Sequence, residues 1–123
     1  MGDIVLISGG FDPVHSGHIA LIKQASKFGK VVVLLNSDQW LKKKKGKEFM
    51  PYNEREIIMS SIKNVIDVIA FDDSDKTCIK GIKKAILKNF NHKIKFANGG
   101  DRDNKNTPEI DFCNKNNIEN LWG

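Results

Sequence analysis

A chain of 123 residues with 40% hydrophobic and 28% charged residues has ordinary globular proportions and enough length to bury a core without disulfide or metal staples. It contains no continuous apolar stretch of about 18 residues, so a membrane span is not expected. Its formal charge of +5 admits an anionic partner, although much of the surplus is concentrated in one lysine run.

At the N-terminus Asp3 precedes only a short apolar run with no small-residue cleavage site, so a signal peptide is not expected. Leu6 stands where myristoylation would need Ser or Thr. Ile4-Val5-Leu6-Ile7 reads as a strand buried on both faces, stopped by Ser8-Gly9-Gly10. Leu21, Ile22, Ala25 and Phe28 then recur at helical spacing, with Ser16 as the expected N-cap and Gly29 as the C-terminal glycine. Val31 to Leu35 is the second strand, stopped by Asn36-Ser37-Asp38.

Lys42-Lys43-Lys44-Lys45-Gly46-Lys47 reads as a solvated loop. A nucleic-acid partner is not expected there, because only Trp40 and Phe49 lie nearby and no docking module is matched. After Pro51, Asn53 and Glu56 are placed to form a capping box, and Ile57, Ile58, Ser61, Ile62 and Val65 are expected along one helix face. Val68 to Phe71 is the third strand, ended by the acids Asp72, Asp73 and Asp75. These read as helix-start acids rather than a metal site. Ile79, Ile82, Ile86, Leu87 and Phe90 form a second apolar stripe, and both stripes are expected in the core with room for one to extend into a homodimer interface.

Lys93 to Ala97 is the fourth strand and stops at Asn98-Gly99-Gly100-Asp101. Thr107-Pro108-Glu109 reads as cap, first-turn proline and first-turn acid of a last helix, and Ile118 to Trp122 as a fifth strand. Cys78 and Cys113 form no C-x-x-C pair, which disfavours zinc or a disulfide framework and makes a reducing cytoplasm the expected compartment. Alternating strands and helices over residues 1–123 predict one α/β domain, a Rossmann-like three-layer sandwich around a mostly parallel sheet. Ligands bind such sheets at the carboxyl ends of the strands, where the Gly9–His18 turn, Asn36-Ser37-Asp38 and Gly99-Gly100-Asp101 all fall.

Neither G-x-G-x-x-G after a strand nor G-x-x-x-x-G-K-[ST] is present, which excludes the usual dinucleotide and Walker patterns. The first turn offers the backbone N–H groups of Gly10 and Phe11, with no side chain at Gly9 or Gly10 to hold an anion away. Gly17 leaves room for a ligand against the backbone, and His15 and His18 flank the helix start. A helix N-terminus disfavours imidazolium, so neutral, donating imidazoles are expected until an anion arrives. Such parts suit displacement at phosphorus, where the protein orients the groups in line and stabilises charge on phosphoryl oxygens. Ser16 has no base and orienting group for triad chemistry.

Phe11-Asp12-Pro13-Val14-His15-Ser16-Gly17-His18 resembles the H-x-G-H signature of the cytidylyltransferase-like nucleotidyltransferase superfamily. Asn36-Ser37-Asp38, Lys45-Gly46, Pro51 with Glu54-Arg55, Asp67-Val68 and Gly99-Gly100-Asp101 follow in order, at spacings similar to those of heptose-1-phosphate adenylyltransferases and glycerol-3-phosphate cytidylyltransferases. The resemblance implies transfer of an NMP group from ATP or CTP to a phosphorylated sugar or alcohol, with release of pyrophosphate. It implies His15, His18 and Lys44 as catalytic residues. Gly9, Gly10, Phe11, Gly17, Lys45, Lys47, Gly100 and Asp101 would hold the nucleotide and its phosphates, and Asp12, Asp38 and Arg55 the acceptor. Mg2+ is implied by the resemblance alone, and no ligand cluster for a metal is visible in the sequence. The family's late Ser/Thr-rich phosphate motif is not in this sequence, which reads Asn120-Leu121-Trp122-Gly123 at its end. A catalytically impaired nucleotide-binding or sensing module is therefore the alternative reading.

Overall fold

The structure, a computed structural model, describes residues 2–97 and 107–121. Strand β1 (Ile4–Gly9) leads into helix α1 (Ser16–Ala25). There follow β2 (Lys30–Leu35), α2 (Asp38–Lys45), α3 (Tyr52–Ser60), β3 (Val65–Ala70) and α4 (Ile79–Lys88), then β4 (Ile94–Ala97), α5 (Thr107–Lys115) and β5 (Glu119–Leu121). The strands form a single sheet in the order β3-β2-β1-β4-β5, and every pairing is parallel. The expected Rossmann-like architecture is thus present. Because the order turns back at β1, a crevice opens outside the carboxyl ends of β1 and β4.

Successive strand side chains point to opposite faces of a sheet, and the core divides accordingly. Ile4, Leu6, Val32 and Leu34 pack with Ile82 and Ala85 of α4 and Cys113 of α5. Val5, Ile7, Val31, Val33 and Leu35 pack on the other face with Ile22 and Ala25 of α1 and Met59 of α3. Each such aliphatic side chain contributes about 1.5–3 kcal/mol by leaving water. The unbroken apolar runs of β1 and β2 follow directly from this coverage on both faces.

Several sequence expectations are corrected. The lysine run is not a loop: Lys42 to Lys45 form the last turn of α2, where their charge complements the helix dipole. Ser37 caps the start of α2 and Gly46, at φ +95°, ends it. Nothing lies within 4 Å of a Cβ built on Gly46, so its φ rather than its surroundings calls for glycine. The Asn53–Glu56 capping box does not form; Pro51 holds the N-cap position of α3 without a side-chain hydrogen bond. The buried residues of α3 are Arg55 and Met59, whereas Ile57 is 59% exposed, and Val65 opens β3 rather than extending the helix. Along α4, Ile82 and Ala85 are buried and Ile86 packs against the same core, while Leu87 and, just beyond the helix, Phe90 are exposed. Trp122, expected in the last strand, lies outside the described residues.

Candidate functional site

The first turn is braced by its two histidines. His15, not Ser16, is the N-cap of α1: its Nδ1 accepts from the Gly17 N–H at 3.1 Å. The His18 Nδ1 in turn accepts from the His15 N–H at 3.1 Å, completing a capping box made of two imidazoles. The rings stack at 3.9 Å between centroids with 22° between planes. A Cβ on Gly17 would come within 2.9 Å of His15 Cε1, so glycine lets that ring lie over the helix start. A neutral imidazole that accepts at Nδ1 carries its proton on Nε2, which leaves each ring a donor at that atom. Burial, and then the charge of His15, lower the pKa of His18 below the ordinary histidine value.

Phe11 is buried with φ +50°, and its ring meets His18 edge-on at 4.8 Å. That ring lies over Gly9, where a Cβ would be 3.2 Å from Phe11 Cε2. Gly10 fits under Leu41 and Trp40 of α2: a Cβ there would be 2.7 Å from Leu41 Cδ2. The glycines thus let α2 and the aromatic ring close down on the strand end.

The residues expected at the acceptor are tied to the turn and to α2 by internal contacts. Asp12 has a side chain only 1% exposed; it accepts from the Phe49 and Met50 amides and pairs with Lys45 Nζ at 2.9 Å. Burial alone would raise its pKa, but those amides and Lys45 outweigh it and hold the carboxyl below its ordinary value. Lys45 also donates to the Asp12 carbonyl at 2.6 Å, so its ammonium ties the turn to the end of α2. Arg55 is completely buried. It donates to the carbonyls of Met50 (3.0 Å), Gly10 (2.9 Å) and Asn36 (2.8 Å) and to Asp38 Oδ1 (2.6 Å). Asp38 and Arg55 therefore form a clamp across the ends of β1 and β2: the guanidinium is buried and fully engaged, while the Asp38 carboxylate, 31% exposed, meets it through Oδ1. The cause is local: strand-end carbonyls need donors, and a guanidinium supplies five in a fixed fork.

A cleft of about 1510 Å³ opens beside this clamp. Its walls include His15, His18, Trp40, Lys44, Lys76 and Glu109. That volume exceeds the roughly 300–1,000 Å³ of a pocket for one small ligand. Lys44 places its ammonium 4.6 Å from the Trp40 ring centroid. Lys47 is exposed and is not part of this cleft wall. Gly100 and Asp101 lie outside the described residues.

Three residues escape the sequence reading. Buried Asp73 accepts from Asn36 Nδ2 (2.9 Å), Ser37 N (2.8 Å) and Ser37 Oγ (2.7 Å), fixing the start of α2 from the end of β3. Glu109 caps another helix: its Oε2 accepts from the Cys78 amide that begins α4, at 3.1 Å, while Oε1 is enclosed and among the described residues has no hydrogen-bond partner. Lys76 lines the cleft from a turn in which its own φ is +68°. Only the acid-rich turn before Thr77 and the first-turn position of Glu109 signal them in the sequence.

Among the described residues no group of three or more His, Cys, Asp or Glu could hold a metal ion. With Asp12 occupied by two amides and a lysine, the described residues do not fit a resident Mg2+ site. Among those residues no helix is long and apolar enough to cross a membrane.

The sequence profile of the family described as cytidylyltransferase-like matches residues 6–113. A bifunctional protein HldE of Aliarcobacter butzleri (strain RM4018) is 32% identical over 117 residues, covering 91% of this chain and 22% of that protein. The bifunctional protein HldE of Enterobacter sp. (strain 638) is 32% identical over 111 residues, covering 80% of this chain and 23% of that one. The chain thus spans between a fifth and a quarter of these curated relatives. The crystal structure of a lipopolysaccharide core biosynthesis protein from Thermoplasma volcanium GSS1 superposes with a TM-score of 0.69 at 22% identity. The match covers 97% of this chain and 92% of that one, a likeness of fold.

Proposed function

Because this chain belongs to the cytidylyltransferase-like family, we propose that it transfers an NMP group from ATP or CTP to a phosphorylated sugar or alcohol. An oxygen of the acceptor phosphate attacks the α-phosphorus, the bond from that phosphorus to the bridging oxygen breaks, and pyrophosphate leaves. The observation that carries the reading is the double-imidazole cap: both Nδ1 atoms are engaged by backbone amides, so both rings keep an Nε2 proton beside the cleft. His15 and His18 then donate to phosphoryl oxygens as charge moves toward the leaving group, and α1 adds its positive end. The Gly10 and Phe11 amides hold the α-phosphate, and Lys44, with its neighbour Lys43, meets the far phosphates. Lys45, Asp12, Asp38 and Arg55 act one step back by holding the turn and α2 in place. Mg2+ would enter with the triphosphate and offset its charge.

The test is pyrophosphate release by the full chain with ATP or CTP, Mg2+ and a panel of phosphorylated sugars and polyols. His18→Ala is expected to lower kcat by about 10²–10³-fold, the cost of one preorganised donor to a developing oxyanion. Nucleotide binding with no release on any acceptor would overturn the reading and favour a sensing module.

A further inference from the structure

Helix α2 is eight residues long, and of these only Leu41 is buried. A helix so short is marginal on its own propensity, so α2 depends on what holds its two ends. Its last turn is tied to the first turn of the chain by the Lys45–Asp12 pair at 2.9 Å. Its start is tied to the far side of the sheet by Asp73, which follows β3 and is 6% exposed.

The path from Asp73 into the cleft is continuous. Asp73 Oδ1 accepts from the Ser37 hydroxyl at 2.7 Å, and that hydroxyl accepts from the Trp40 amide at 3.1 Å. With its hydrogen committed to the carboxylate, the hydroxyl keeps its lone pairs for the helix start. Asp73 Oδ2 meanwhile accepts from the Ser37 amide at 2.8 Å and from Asn36 Nδ2 at 2.9 Å. The Trp40 ring lies over Gly10, 3.5 Å from where a Cβ would stand, and the Lys44 ammonium sits 4.6 Å from its centroid. Asp73, Trp40, Lys43 and Lys44 all line the same cleft. A free carboxylate there would repel a polyphosphate, and these donors spend its charge on the start of α2 instead.

We propose that Asp73 is a positioning residue for the triphosphate: through Ser37 it sets the start of α2, and with it the place of Lys43 and Lys44. The assignment rests on the nucleotidyl-transfer reading, in which those lysines meet the far phosphates. The α-phosphate falls to a separate device, the first turn, whose cap is closed by His15 and His18 without any part of α2. Loss of the Asp73 contacts therefore costs affinity for the far phosphates and spares affinity for NMP.

The test uses calorimetric titration of the full chain with ATP and CTP, their monophosphates and inorganic pyrophosphate. Asp73→Asn keeps the shape but has one acceptor oxygen, so it cannot serve the Ser37 hydroxyl and the two N–H donors together. It should weaken triphosphate and pyrophosphate about tenfold and leave monophosphate within about twofold. Ser37→Ala removes only the hydroxyl and should give the same pattern, whereas Ser37→Thr retains the cap and should retain the affinities. Both losses act on one path, so the double variant should lose no more than the weaker-binding single variant. A merely structural role would read differently. Partial unfolding lowers apparent affinity for every nucleotide by one factor and leaves the ratio of triphosphate to monophosphate affinity unchanged.

An unchanged ratio in Asp73→Asn and Ser37→Ala, additive losses in the double variant, or a loss in Ser37→Thr as large as in Ser37→Ala would overturn the proposal. So would a wild type that binds neither triphosphate nor pyrophosphate. The expected binding pattern without pyrophosphate release on any acceptor would sink the transfer reading alone, and the role of Asp73 in holding the triphosphate would stand.

Discussion

Arg55 donates at once to the carbonyls beyond the ends of β1 and β2, to Met50 and to Asp38, with no exposed surface of its own. Arg55→Met removes four bonds and leaves three carbonyls and a carboxylate unpaired. Breaking a buried ion pair from one side costs about 3–5 kcal/mol, and a loss in that range is expected from urea unfolding. Lysine should not rescue it, because one ammonium cannot span a planar fork of acceptors. The sequence marks Arg55 as anomalous, a cation at a helix start, but cannot say what resolves the anomaly. A phosphate ligand and a set of strand-end carbonyls satisfy it equally well, and only the folded sheet brings those carbonyls together. Asp73 is the same case in reverse: an acid in an acid-rich turn whose partners, Asn36 and Ser37, lie 37 and 36 residues away.

At the scale of elements, the start of α1 carries a pH dependence of definite sign. The His18 pKa is lowered in the folded chain, so on acidification the unfolded chain takes up a proton first. Stability should therefore fall as pH drops from about 6.5, the ordinary histidine value, toward the folded pKa. Protonation also removes the Nδ1 lone pair that accepts from the His15 amide, so the first turn loosens together with the global loss. Asp12 acts later, because its lowered pKa gives stability that is complete above about 3.9 and lost only as pH falls through the folded value. Urea midpoints measured from pH 7.5 to pH 3 should show two separate declines, the first absent in His18→Asn.

Helix α2 shows why this scale is only partly legible. Four consecutive lysines give no apolar periodicity, and the helix depends on the Ser37 cap, the single buried Leu41 and the left-handed Gly46. The stripes of α3 and α4 were harder to read for the opposite reason. Their isoleucines and leucines outnumber the positions that the sheet can cover, so Ile57 and Leu87 remain outside.

For the molecule as a whole, alternating strands and helices and the unbroken apolar runs of β1 and β2 make the α/β class legible without a structure. The order β3-β2-β1-β4-β5 is not encoded in any one segment, yet it determines which turns share a cleft. The same packing silences both cysteines. Burial, and then the charge of Glu109, push the Cys78 thiol up to about 12 and the Cys113 thiol up to about 11. The thiolate is the reactive form, so neither should be alkylated by iodoacetamide at pH 8 in the folded protein, and both should react in urea, as mass spectrometry would show. Rapid labelling without denaturant would mean that the α4–α5 face opens readily.

The double-imidazole cap divides each ring between two duties, with one nitrogen facing inward to the backbone and the other outward to the cleft. Alanine abolishes both and confounds them. The amide oxygen of asparagine reaches roughly where Nδ1 sits, and the amide nitrogen of glutamine reaches roughly where Nε2 sits. A pair of surrogates at one position can thus separate the histidine that builds the helix from the histidine that meets the ligand.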